Sequence, residues 1–203
     1  MHFWCLKIKT GNVNQLLRQN IENTIQSKIT DKEFEILSSF FFEKSIEKKS
    51  LLTENGKVTN YVYFILEGSA CSYLTDVKGE NHVVQLALEG YWITDMYSFF
   101  SGRESIYTVE FLEPGKVLVL NKENFNKACD QCKTMDRFFR ILIQNAYVAL
   151  QLRLTRSNAE DAKTRYDAFV KNSPDFVQRI PQYLIASYLG IKPQSLSRIR
   201  KSK

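Results

Sequence analysis

The chain has 203 residues, a hydrophobic fraction of 44%, and charged side chains at 25%, enough apolar material to close a core and too much for a disordered chain. Its formal charge of +6 is unevenly placed: residues 163–203 hold nine Lys or Arg against Asp167 and Asp175, a charge of +7, which leaves −1 for everything before them. No apolar run approaches the length of a membrane span, and a polyanion meeting only the C-terminal end is the simplest partner for such a split.

In chain order, Met1 to Gly11 carries Lys7 and Lys9 after Phe3 and Trp4 and lacks the ordered parts of a secretion signal. Cys5, Cys71, Cys129 and Cys132 are too few and scattered for a disulfide framework. Both features lead to the expectation of reduced thiols in a cytoplasmic protein without a membrane partner. Residues 13–28 read as a polar helix. Thr30 and Glu33 form a capping box opening a second helix through Phe34, Ile36, Leu37 and Phe41.

The period then changes. Short β-rich runs occupy 50–53, 61–66, 70–75, 82–88, 106–112 and 116–120, punctuated by Asn55-Gly56, Gly68, Lys78-Gly79, Gly90, Gly102 and Pro114-Gly115. Evenly spaced strands of this kind predict an antiparallel sandwich or barrel-like roll. After Lys122 the helical period returns, first through Phe125 and Ala128, then in a long helix over about 134–158. Its heptad-like stripe is Phe138, Leu142, Asn145, Ala149 and Leu152, with Ile141 and Val148 alongside, a pattern for packing against a copy of itself or against its own domain. Asn145 in that stripe either fixes the register of a homodimer or is satisfied within its own core.

The last residues, 181–203, predict two short helices about a glycine turn. Leu184, Ile185, Ala186 and Leu189 supply the buried side of the first; Gly190 takes the left-handed turn, and Pro193 fits the first turn of the second. Leu196 and Ile199 face inward. Tyr188, Lys192, Gln194, Ser195, Ser197, Arg198, Arg200 and Lys201 are then the candidates for reading double-stranded DNA, because their side-chain types suit base edges and phosphates. A solvated basic helix end is the alternative.

Two patterns carry a family resemblance: Tyr63-Phe64-Ile65-Leu66-Glu67-Gly68 followed by Tyr73 and Asp76, and the stretch from Tyr183 through Gly190 to Ser195-Leu196-Ser197-Arg198-Ile199. The chain resembles the catabolite activator and fumarate-nitrate regulator (Crp/Fnr) family of bacterial transcription factors. The resemblance implies an α+β fold: an N-terminal β-roll like a cyclic-nucleotide-binding jelly roll over 1–132, a long dimerisation helix over 133–158, and an all-α helix-turn-helix over 159–203. It also implies RNA polymerase and an unidentified small-molecule effector as further partners.

Members of that family that bind cyclic nucleotides hold the ribose and phosphate with a Gly-Glu pair and an Arg-Ser or Arg-Thr pair. Here Thr94-Asp95, followed by Met96, stands at the first position, and Ser105-Ile106 at the second; Arg103 is displaced by two residues. A phosphate buried without a cation is strongly disfavoured, so the expectation is a regulator without cyclic-nucleotide response and without a cofactor. The rearranged pocket, around Thr94, Asp95, Met96, Arg103, Ser105 and Ile106, is the alternative. Tyr91, Trp92, Tyr97, Phe99, Phe100 and Tyr107 either fill that place as core or shape it for another ligand. Cys129 and Cys132 lack a second ligand pair for a metal, Cys5 stands alone where iron-sulfur members carry a cluster, and His82 reads as a sheet histidine rather than a haem ligand. No nucleophile, acid-base pair or phosphate loop points to an enzyme.

Overall fold

A computed structural model describes residues 13–201; the readings of Met1 to Gly11, Cys5 among them, lie outside the described residues. Two helices come first, α1 (Val13–Ile25) and α2 (Asp31–Ser38). Half of the expected capping box forms: Thr30 Oγ1 accepts from the Glu33 N–H at 3.2 Å, while the Glu33 carboxylate instead accepts from the Thr134 hydroxyl. Strands β1 (Phe42–Ile46), β2 (Leu51–Thr53), β3 (Tyr61–Glu67), β4 (Ala70–Thr75), β5 (Asn81–Ala87) and β6 (Trp92–Ile93) follow. A short α3 (Met96–Ser101) precedes β7 (Thr108–Phe111) and β8 (Gly115–Asn121).

The strands form two antiparallel four-stranded sheets, ordered β1-β8-β3-β6 and β2-β7-β4-β5. Between them lies a core of Ile46, Tyr63, Ile65, Ala70, Ile93, Val109, Phe111, Val117 and Val119. Gly68 turns the chain from one sheet into the other at φ 102°, and a Cβ there would stand 2.7 Å from the Phe111 ring, so both backbone and space require glycine.

Helices α4 (Lys122–Gln131) and α5 (Lys133–Ala159) then return along the first sheet. Leu17, Ile21, Leu37, Phe64, Trp92, Leu120, Phe138 and Leu142 join α1, α2 and α5 to its outer face. The chain ends in α6 (Ala162–Asn172), α7 (Pro174–Arg179), α8 (Gln182–Tyr188) and α9 (Pro193–Lys201). These cover the outer face of the second sheet, where Cys71, Val83, Leu86 and Leu88 pack against Phe176, Ile180, Leu184 and Ile185. Each sheet is thus apolar on both faces. That is why β3 and β4 read as buried runs instead of alternating.

The architecture is α+β: an N-terminal β-roll followed by a helical C-terminal region. Among the described residues no helix is long and apolar enough to cross a membrane.

The long helix corrects the expected seam. Phe138 and Leu142, 0% and 3% exposed, are buried against α1 and the first sheet and cannot meet a second chain. The apolar row left open is Ile143, Tyr147, Leu150 and Leu154, spaced four, three and four, with Leu150 and Leu154 at 52% and 58%. Asn145 is half-buried off that row, Ala149 is exposed, and Leu152 and Val148 face another side of the helix.

Candidate functional site

The six residues expected around a ligand lie in and beside the α3 loop, where Ser105 and Ile106 bond to Asp95 itself. The Asp95 carboxylate is 1% exposed. Its Oδ1 accepts from the N–H groups of Tyr97 at 2.9 Å and Ser98 at 3.3 Å, capping α3. Its Oδ2 accepts from Ser105 Oγ at 2.6 Å and from the N–H groups of Ile106 at 3.0 Å and Tyr107 at 3.4 Å. Around this knot Thr94 Oγ1 donates to the Tyr61 carbonyl at 2.7 Å, and Ser98 Oγ accepts from Thr59 N–H while donating to the Arg103 carbonyl. Met96 is half-buried.

Five donors thus converge on the one carboxylate that stands at the expected ribose position. Those donors are taken up by Asp95 and its own loop. The Arg103 side chain is exposed, beside an open hollow lined also by Asn55, Val58, Tyr97 and Ile106 on the outside of the roll.

The aromatic residues of this stretch go to several different places. Trp92 packs against Phe41, Phe64, Phe138 and Phe139 and donates Nε1–H to Asn20 Oδ1 at 2.9 Å. Tyr91 meets Phe176 edge-on at 5.3 Å. Phe99 lies beneath the Lys122 ammonium at 4.4 Å, with Phe100 and Phe125 beside it. Tyr107 is half-buried, and Tyr97 is exposed.

Burial pushes the Cys129 thiol up to about 11, helped by the Asp136 and Asp130 charges, and it pushes Cys71 up to about 12; both are thiols at neutral pH. His82 sits on an exposed hairpin, its Nε2 3.0 Å from Asp76 Oδ2. Glu80 completes a group of possible metal ligands there, yet Asp76 Oδ1 is already held by the N–H groups of Lys78 and Glu80 within the turn.

The second constellation is built by α8 and α9. Leu184, Ile185, Ala186, Ile191 and Leu196 are buried, and Gly190 ends α8 at φ 65° with its N–H on the Ser187 carbonyl. On the other side Lys192, Gln194, Ser197, Arg198, Arg200 and Lys201 are exposed on one short helix and its entry, with Ser195 half-buried. Tyr188 departs from this set: its ring packs toward Phe169 at 5.9 Å and under the Arg153 guanidinium at 4.8 Å.

Several residues that fasten this unit escaped the sequence reading. Arg153 donates to the Val84 carbonyl at 2.7 Å, and Ser187 Oγ accepts from Val83 N–H at 2.9 Å. Arg179 bridges the carboxylates of Glu89 and Glu113. Arg165 spans four carbonyls. A lone Arg in a helix gives no signal of such partners, most of which lie 24 to 104 residues away in the chain.

Residues 43–132 match the family model of the cyclic nucleotide-binding domain. The match to the cyclic nucleotide-binding domain runs from β1 to the end of α4, so it covers the roll and stops before the C-terminal helices. No curated protein matches the chain. Among solved structures, the chain is similar to the catabolite activator protein of Thermus thermophilus at TM-score 0.58 and 15% identity, covering 88% of this chain and 85% of that one. It is similar to FixK2 of Bradyrhizobium japonicum at TM-score 0.68 and 17% identity, covering 80% and 83%. A third, the c-di-GMP responsive global regulator CLP of Xanthomonas campestris, gives TM-score 0.64 and 11% identity over 85% and 91%. At such identities the likeness is one of fold, and it extends past the cyclic nucleotide-binding domain into the helical region.

Proposed function

We propose that the chain is a homodimeric, sequence-specific DNA-binding transcription regulator of the Crp/Fnr type, whose roll does not respond to cyclic nucleotides. It is organised as a roll over 1–132, a dimer helix over 133–158 and a helix-turn-helix over 159–203. The observation carrying this reading is the face of α9: Leu196 is buried while Gln194, Ser197, Arg198 and Lys201 stand in solvent, at the end of the chain that holds the net positive charge. Two such faces, joined through the Ile143, Tyr147, Leu150 and Leu154 row, would enter successive major grooves about 34 Å apart.

Operator selection from a random DNA pool tests the reading, and a palindrome is the expected product. At the selected operator Arg198→Ala should cost about 1–3 kcal/mol and relax preference at one base-pair position, while Lys201→Ala weakens all sequences alike and lowers the salt slope by about one unit. An Arg198→Ala chain with unchanged affinity and preference returns α9 to the role of a solubilising tail.

The roll makes a separate expectation. Because Asp95 already occupies the donors of the α3 loop, calorimetry with cyclic AMP or cyclic GMP should give no saturable heat at sub-millimolar concentrations, and neither nucleotide should alter DNA affinity. Micromolar binding of either one would favour the rearranged-pocket alternative.

A further inference from the structure

We propose that Arg165 is the positioning residue that fixes the orientation of the DNA-reading helices on the end of the long helix. The inference rests on the DNA-binding reading above and concerns a residue that lies outside α9. Arg165 is in α6, between the two parts it joins. Its Nε–H donates to the Leu189 carbonyl at 3.0 Å and its second terminal nitrogen to the Gly190 carbonyl at 3.3 Å, at the end of α8. Its other terminal nitrogen donates to the carbonyls of Ser157, at 3.3 Å, and Glu160, at the end of α5.

The last carbonyls of a helix lack intrahelical partners and carry the negative end of its dipole. One planar cation therefore gathers two helix C-termini that would otherwise repel across the joint. The acceptors at the α8 end are the two residues on which the turn into α9 is made, and those at the α5 end, Ser157 and the C-cap Glu160, lie within two turns of Leu154, the last member of the open apolar row. Arg179 and Ser187 tie the same helices to the roll. Arg179 and Ser187 do not reach the element that carries the proposed dimer seam; Arg165 does, beside the stack of Arg153 on Tyr188, and of these it alone holds the turn into α9, so it sets how far apart and at what angle two α9 helices stand.

A lysine cannot replace it. An ammonium is compact, with three donors and no fork, and cannot span four acceptors on opposite sides. The arrangement also differs from an ion pair in that the Arg165 contacts are to carbonyl oxygens that never titrate.

The test uses the full chain and a set of operators built on the selected palindrome, with the spacer between half-sites shortened or lengthened by one or two base pairs. The wild type should bind one spacing at least about tenfold better than its neighbours, since a preorganised pair of heads has little freedom to follow the DNA. Arg165→Ala and Arg165→Lys should bind all spacings within about threefold of one another, weaker at the best spacing, with the salt slope unchanged because no phosphate contact is lost. Arg165→Lys keeps the charge and serves if the alanine variant does not fold. Folded variants that retain the wild-type spacing preference overturn this inference while leaving DNA binding intact. A wild type that selects no DNA overturns the DNA-binding reading itself.

Discussion

If the chain is the DNA-binding dimer proposed above, Leu150→Glu together with Leu154→Glu should make it sediment as a monomer and lower its affinity for a selected operator by more than about a hundredfold. Both side chains are more than half exposed in the single chain, so the substitutions leave its own core intact. In a two-helix seam they would instead place four carboxylates in a dry row, each resisting desolvation and its neighbours' charge. Leu142→Glu makes the contrast. Leu142 is buried with Phe138, Phe139 and Met135, so a charge there should lower the melting temperature of the monomer fold itself. If the Leu150 and Leu154 variant remains a dimer by sedimentation, the open row is not the seam.

Arg179→Ala should destabilise the chain by about 1–3 kcal/mol at neutral pH, less than the loss of a fully buried pair because the guanidinium and both carboxylates stay about one-third exposed. Arg179 is held by Glu89 and Glu113, on two turns of the roll, and Glu89 Oε1 also accepts from Gly68 N–H at 2.9 Å. Burial by itself would raise the Glu89 carboxyl, but Arg179 and the backbone donors outweigh it and hold that group below its ordinary 4.5. A carboxylate depressed in the folded state contributes stability above its unfolded value, and that contribution is lost as pH falls through the folded one. The gap in melting temperature between wild type and Arg179→Ala should therefore be full at pH 7 and narrow below pH 4.5. A gap that is constant down to acid pH would mean that Arg179 acts by packing and not through Glu89.

Much of the architecture was legible because local signals agreed with it. Gly68, Gly79 and Gly190 sit at positive φ where turns were read, and Asn121 caps α4 where the helical period resumes. The start of β1 was not legible: Phe41 continues the helical spacing of Phe34 and Leu37, and the outward residues of β1 give no alternation. The two residues of β6 are too few to show a period. In α5 the row containing Phe138 and Leu142 and the row containing Leu150 and Leu154 have equally good spacing. Only the arrival of Leu17 and Ile21 from α1 decides which the chain covers for itself. At Asp95 the sequence supplied a carboxylate but not its five donors, three of them ten to twelve residues downstream.

The packing of α8 on β5 also bears on the order in which the protein is made. Ser187 meets Val83 and Asn81, 104 and 106 residues earlier in the chain, and the apolar side of α8 closes on strands synthesised long before it. Contacts of such separation form late, after the local and sheet-internal ones have shortened the loop between them. During synthesis the cover over Cys71, Val83, Leu86 and Leu88 is therefore completed only when α8 and α9 follow α6 and α7 from the ribosome. A chain interrupted before Gln182 keeps Phe176 and Ile180 on the second sheet but lacks Leu184, Ile185 and Ala186, so part of that apolar face stays without its cover.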